Sequence, residues 1–450
     1  MPEIREHNRR NPTSIVVLDD DPTGTQTVYG VPVLTSWDQR ALIAEFERNT
    51  PLFYILTNSR ALAEERAAKL AGEIGENILA ASRRAERAFE VVSRSDSTLR
   101  GHFPAEVDAL AVSLGAEGAV RVIIPFFEEG GRYTLNDTHY VREGDQLIPA
   151  GETAFAADPV FGYTNSDLKE WIEEKTGGRI SADFVASVSI TDIRERGPGP
   201  VADVLGKCAC GGVCIVNAAD YRDLEVVTMG LLRAGQQDNR FIYRTAASFV
   251  RSRAGLGPRK LLTAAELIGP ADAGGLIVVG SHVPKSSDQL ANLLENADSM
   301  GIEVDVERVL GGSKEVEKSR MADSAGSALE AGRDVVIYTS RRLITGASRG
   351  ESLQIAERIS QTLVDIVASL SVRPRYILAK GGITSSDVAT KALGLIRAEV
   401  LGQILPGVPV WRCGAESKFP GMAYIVFPGN VGPTDAITKI VQAFKTAENH

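Results

Sequence analysis

Short runs of β-branched and apolar residues alternate with longer amphipathic stretches along this chain, as in SIVVLDD, PLFYILTNSR, FEVVSR and VRVIIPFF. A buried parallel strand reads as a short apolar run and needs a crossover before the next one. The alternation therefore restricts the chain to an α/β fold built on a largely parallel sheet. The pattern restarts with LIVVGSHV and continues through GIEVDVERV, DVVIYTS, RYILAKGG and AYIVFPGN, with helical patterns such as SDQLANLLENA between them. A restart of this kind predicts a second sheet, hence two domains, each a largely parallel sheet flanked by helices. The small-residue turn IGPADAGG separates them and places the boundary between 1–270 and 271–450.

With 450 residues, 44% of them hydrophobic and 24% charged, the composition is that of a globular protein. The net charge of -9 repels polyanions, so no nucleic-acid partner is expected, and an anionic ligand needs local donors rather than a basic surface. The polar start MPEIREHNRRNPTS is no signal peptide, and no stretch approaches the ~20 apolar residues of a membrane span. A cytoplasmic protein without a membrane partner is the expectation. Cys208, Cys210 and Cys214 lie close together in KCACGGVC, but without a nearby His or zinc-knuckle spacing they read as core or loop thiols.

In open α/β sheets ligands bind beyond the carboxyl ends of strands, so the residues after each strand run carry the candidate chemistry. After IVVL stand Asp19, Asp20 and Asp21, then the turn formers Pro22 and Gly24 among the hydroxyls of Thr23, Thr25 and Thr27. Carboxylates there can hold a metal, take a proton from a hydroxyl or grip a sugar; one capping Asp with solvated neighbours is the plainer alternative. After FEVV come Arg94, Asp96, Ser97 and Arg100, where guanidinium forks suit bidentate binding of a carboxylate. A capped helix start with an exposed Arg is the plainer alternative there, and His102 alone reads as a packing or surface residue.

In the second half, Ser281 follows LIVVG at the start of a helical pattern. YILAKGGITSSD puts Lys380, Gly381, Gly382, Ile383 and Thr384 at a strand end, and YIVFPGNVG puts Gly429, Asn430 and Gly432 at another. Most strand-turn-helix units bind no anion, but glycines leave backbone amides unshielded, and three such ends converging on one sheet edge would make a nucleotide site without a Walker loop or a dinucleotide fingerprint, neither of which occurs.

DDPTG and DSTLRG, taken in order with the GG-x-T and PGN-x-G turns, are similar to signatures of the four-carbon acid sugar kinase family. PFFEEGGRYTLNDTHYV, which contains Asn136, and YRTAASFVR, which contains Arg244 and Ser248, resemble further family segments. The chain departs from the family pattern at His282–Pro284 and at Phe427.

The resemblance implies a sugar-acid-binding domain, 1–270, and an ATP-binding domain, 271–450, that meet at an interdomain active-site cleft. It implies Asp20 or Asp21 as the catalytic carboxylate, and Arg94, Asp96, Ser97, Arg100, Asn136 and Arg244 as substrate contacts. Ser281, Gly381, Gly382, Ile383, Thr384, Gly429 and Asn430 become nucleotide contacts, with Lys380 or Lys285 offsetting phosphoryl charge. Mg2+ is expected with ATP, its ligands unassigned. The partners are a sugar acid such as threonate, erythronate or 3-oxo-tetronate, with its terminal hydroxyl as acceptor, and ATP; a homodimer is left open. Two other readings stand beside this one: a non-catalytic or effector-type protein on the same scaffold, and a nicotinamide-dependent hydroxy-acid oxidoreductase, which would need the missing fingerprint.

Overall fold

The computed structural model describes residues 1–235, 241–267, 272–306, 314–340 and 349–447. The chain divides into two compact units: Met1–Val28 with Ser36–Pro258, and Tyr29–Thr35 with Arg259–His450. The boundary expected at residues 270 and 271 lies outside the described residues; on its near side, Leu262, Ala264 and Leu267 pack in the core of the second unit.

The first strand, β1 (Ser14–Asp19), lies in the amino-terminal unit, whereas β2 (Val31–Leu34) belongs to the other unit's sheet. The first unit continues with β3 (Leu52–Leu56), β4 (Phe89–Arg94), β5 (Val120–Ile124), a separate hairpin sheet of β6 (Arg132–Leu135), β7 (Thr138–Glu143) and β8 (Gln146–Pro149), then β9 (Ala186–Val188), β10 (Val213–Val216) and β11 (Phe241–Thr245). Its main sheet has the order β3-β1-β4-β11-β5-β10-β9, with every pair parallel. Every residue of β1 is buried, as a strand covered on both faces must be, which is why it reads as an unbroken apolar run up to Asp19. Register sets the rest: Asp19 pairs with Leu56 and Arg94, and Thr245 pairs with Arg94 and Ile124. The segments after these strands consequently leave one edge of the sheet together.

The second unit holds β12 (Leu276–Val279), β13 (Ser299–Val304), β14 (Asp334–Thr339), β15 (Tyr376–Lys380), β16 (Arg397–Leu405), β17 (Val408–Cys413) and β18 (Ala423–Phe427). Their order is β13-β14-β12-β15-β18-β17-β16-β2; the first five strands run parallel, and the last three are joined antiparallel. The antiparallel part is not legible as apolar runs. Burial alternates residue by residue along β16, the signature of a strand with one face in the core and one outside it. β2 is taken up by main-chain bonds at both ends, Gly30 N–H to Val400 O at 2.7 Å and Thr35 N–H to Ile396 O at 3.0 Å. Val31 and Val33 are 3% and 1% exposed. Among the described residues no helix is long and apolar enough to cross a membrane.

Val33→Asp would bury an unpaired carboxylate in the second unit. A loss of about 3 kcal/mol and a fall of roughly 6 °C in the unfolding midpoint are expected by calorimetry; an unchanged transition would show that β2 is not part of that sheet.

Candidate functional site

At the carboxyl edge of the first sheet, buried carboxylates and guanidinium groups interlock. Asp20, 3% exposed, receives both Nη2 (2.5 Å) and Nε (3.1 Å) of Arg60, which also lies 3.6 Å from Asp21 and 3.9 Å from Asp96. The Arg60 N–H reaches back to the Asp20 carbonyl, so backbone and side chain hold the same residue. Arg94, the last residue of β4, donates from Nη1 to Asp19 at 2.9 Å and lies 3.3 Å from Asp20. Arg100 donates to Asp96 at 2.7 Å and sits 3.5 Å from Asp158. Arg244 in β11 donates to the Arg100 carbonyl at 3.1 Å.

The three aspartates differ in their surroundings. Burial pushes Asp19 up to about 7 against the pull of Arg94, with the Asp20 and Asp21 charges adding to the rise. A Cβ on Gly24 would lie 2.1 Å from Asp19 Oδ1, so only glycine lets the turn close over that carboxylate. Asp21 caps the short turn Pro22–Thr25, accepting from Thr23 N–H at 2.8 Å and Thr23 Oγ1 at 2.5 Å. Burial alone would raise Asp21, but Arg60 and the Thr23 donors outweigh it and hold it low. Asp96 is likewise pulled well below the carboxylate range, Arg60 and Arg100 overcoming burial.

The loop from Ser95 to Gly101 is pinned from outside the main sheet. His139 in β7 bonds Ser97 O through Nε2 at 2.8 Å and Thr134 through Nδ1 at 3.0 Å, and Tyr163 donates to Thr98 O at 2.8 Å. Leu99 adopts φ +67, costing on the order of 1 kcal/mol and sustained by complete burial. Thus Asp20, Asp21, Arg94, Asp96, Arg100 and Arg244 come together, while the carbonyl of Ser97 anchors their loop. Asn136 stands apart, exposed at the hairpin tip between β6 and β7, where its φ of +50 suits the turn. Ser248 lies with Tyr221, whose hydroxyl is 3.0 Å away. Sequence reasoning missed Arg60, although it closes TNSR directly after a strand run, and missed Glu106, His139 and Tyr163, which no strand end marks.

In the second unit, Val279 pairs with Lys380 and Lys380 with Phe427, so the turns after β12, β15 and β18 share one edge. The Ser286 hydroxyl lies 3.0 Å from Ser281 Oγ and donates to Gly429 O at 3.1 Å. A Cβ on Gly280 would meet Thr384 Oγ1 at 2.3 Å, and one on Gly381, at φ +112, would meet Ser281 Cβ at 3.0 Å. Ser281, Gly381, Thr384 and Gly429 are therefore neighbours; Gly382 opens the helix Gly382–Asp387, and Ile383 and Asn430 are exposed beside them. Lys380 is wholly buried and donates to Pro428 O at 2.6 Å and Gly429 O at 3.0 Å, above the Phe427 ring. Burial, with Lys285 adding, pushes its ammonium down to about 7. Two of its donors thus hold the glycine turn, whereas Lys285 is exposed.

No group of three or more metal-ligating side chains occurs among the described residues, and Asp19, Asp20 and Asp96 already face arginines. These residues do not build a protein cage for Mg2+. Cys208, Cys210, Cys214 and Cys413 are free thiols, with Cys214 buried in β10.

Glu106 is pushed up to about 7 by burial and by Asp20. Its folded value lies above its unfolded one, so the fold keeps a proton that the unfolded chain releases, and stability falls as pH rises from about 4.5 to 7. In thermal unfolding at pH 5 and pH 8, Glu106→Gln should remove roughly 2 kcal/mol of that fall, leaving the part due to Asp19. Lys380→Met should cost roughly 2–4 kcal/mol in denaturant unfolding, because two buried carbonyls lose their donor.

A family model described as a sugar-binding N-terminal domain matches residues 15–253, and one described as a nucleotide-binding C-terminal domain matches residues 276–437. A D-threonate kinase of Bordetella bronchiseptica is 34% identical over 163 residues, which are 34% of this chain and 38% of that relative. A D-erythronate kinase of Heliobacterium modesticaldum is 25% identical over 232 residues, 50% of this chain and 49% of the relative. A 3-oxo-tetronate kinase of Cupriavidus necator is 24% identical over 337 residues, 71% of each. The chain thus matches less than half the length of the first two relatives. Among solved structures, a Salmonella typhimurium LT2 protein described as a putative tRNA synthase aligns with TM-score 0.70 at 16% identity, over 97% of this chain and 99% of that one. A Haemophilus influenzae protein aligns with TM-score 0.60 at 17% identity, over 96% and 99%. At such identities these two likenesses speak to the fold alone. The two domain models together span most of the sequence, in order, and the chain belongs to the four-carbon acid sugar kinase family.

Proposed function

We propose that this chain is an ATP-dependent kinase that phosphorylates a hydroxyl of a four-carbon sugar acid. The observation that carries the reading is the carboxylate–guanidinium cluster at the carboxyl edge of the first sheet, built around Asp20 and Arg60. Fixed cations and anions side by side suit a ligand that is both an anion and a donor of hydroxyl hydrogens. The names of the relatives, threonate, erythronate and 3-oxo-tetronate kinases, support the same ligand class.

ATP, arriving with Mg2+ on its phosphates, lies in this proposal against the turns at Ser281, Gly381–Thr384 and Gly429–Asn430. Asp20 accepts the hydrogen bond of the attacking hydroxyl and orients it. The new bond forms between that oxygen and the γ-phosphorus while the β–γ bridging bond breaks; ADP leaves with the electron pair, and the hydroxyl proton passes to Asp20 or to solvent. Such transfer depends chiefly on positioning and charge neutralisation, and of the two lysines expected to offset the phosphoryl charge, Lys285 is the exposed one.

The test is an ADP-release screen over D- and L-threonate, D- and L-erythronate and 3-oxo-tetronate. Asp20→Asn should lower kcat at least about 100-fold with ATP binding retained. Gly382→Val should raise KM for ATP about 10-fold or more by setting a branched side chain against the phosphates. Exchanged phenotypes would reverse the assignment of the two units, and a wild type that turns over none of these acids would end the kinase reading.

A further inference from the structure

The arginines of the first cluster are not equivalent. Arg60, Arg94 and Arg100 each ion-pair with at least one aspartate, at 2.5, 2.9 and 2.7 Å. Their charge is already balanced, and a ligand carboxylate placed on any of them would have to share it with a fixed anion. Arg244 differs. It is 1% exposed, and among the described residues no carboxylate ion-pairs with it; its hydrogen bond goes from Nη2 to the neutral carbonyl of Arg100. A buried cation with no contacting anion is costly: burial depresses the Arg244 guanidinium to about 10, and the more distant charges of Asp20, Asp96 and Glu106 offset only part of that fall.

Two further features give this cation a direction. Its guanidinium carbon lies 5.5 Å from the Phe103 ring centroid and 5.2 Å from that of Trp171. The aromatic contacts hold the group in place without neutralising it. Gly101, at φ +117, borders it: a Cβ there would come 3.3 Å from Asp20 Oδ2, 3.8 Å from Ser95 Oγ and 3.9 Å from Arg244 Nη2. Gly101 thus sits between a carboxylate on one side and, on the other, a guanidinium that has no direct ion pair among the described residues.

We propose that Arg244 is the carboxylate-recognising group of the sugar-acid site: it takes the ligand's carboxylate, while Asp20, on the other side of Gly101, takes a hydroxyl. The inference rests on the sugar-acid reading above and adds to it the division of labour. The three balanced arginines hold aspartates in position for hydroxyl groups, and Arg244 confers the requirement for an acid. The ligand class is accordingly a small polyhydroxylated monocarboxylate. The corresponding polyol, amide or lactone satisfies the aspartates but leaves Arg244 uncompensated.

The test is isothermal titration without nucleotide, using D-threonate and D-erythronate and the amide of each, against wild type, Arg244→Met and Arg244→Lys, with thermal unfolding confirming the fold. The wild type should prefer acid over amide by about 100-fold or more, and Arg244→Met should bring that preference close to unity while leaving amide binding in place. Arg244→Lys, which keeps the charge and loses the fork, should retain part of the preference and raise KM for the acid with little change in kcat; it carries the test if the Met variant does not fold. A preference for the acid that survives in both variants overturns the role of Arg244 and leaves the kinase reading standing. Acid binding without turnover in the wild type ends the kinase reading but still tests Arg244, and no acid binding at all overturns both.

Discussion

Carboxylates at the end of a wholly buried strand can stay there only if something cancels their charge, and in this chain that is done by arginines on the neighbouring strand ends. Burial pushes Asp19 toward protonation even with Arg94 beside it. The bidentate grip of Arg60 on Asp20 and the reach of Arg94 to both aspartates counter the cost of burial and fix the carboxylates at the place where parallel strands release their chains. Buried pairs of this kind add little net stability compared with apolar packing, so their value lies in holding polar groups rigidly where water does not compete. Polar anchors from the hairpin sheet and its flanking loop, His139 and Tyr163, serve the same end by taking the carbonyls of the loop that carries Asp96.

The second unit meets a related problem with other chemistry. Three turns must crowd together on one sheet edge, and glycine at 280 and 381 supplies the clearance, since a single added carbon would collide with Thr384 or Ser281. The buried ammonium of Lys380 then ties the Pro428–Gly429 turn to its own strand, so this lysine is a brace for the turn.

Much of this is legible in the residues because parallel strands buried on both faces write themselves as apolar runs, and the turn after each run lies on the ligand-binding edge. DDD after IVVL and the glycine turns after β12, β15 and β18 stand out for that reason. Arg60 obeys the same rule, but its segment, TNSR, lacks a conspicuous cluster and escapes notice. His139 and Tyr163 are out of reach of such reading, since they act from a hairpin and a loop that only tertiary folding brings to the Ser95–Gly101 segment. Asn136, expected as a contact beside a glycine-rich stretch, stands instead at a hairpin tip apart from the cluster, where its left-handed backbone forms the turn. The antiparallel strand β16 goes unseen because a half-buried strand alternates instead of running apolar.

Strand β2 gives the molecule an unusual genetic layout. The polypeptide leaves the first unit after Val28, lends seven residues to the other, returns at Ser36 and departs for good only after Pro258. A gene fragment starting at Arg259 would therefore encode a sheet with a vacant rail along β16, its main-chain groups open to any passing extended peptide. The nucleotide half of this protein is consequently no cassette that recombination could lift out intact, because its blueprint is written in two places.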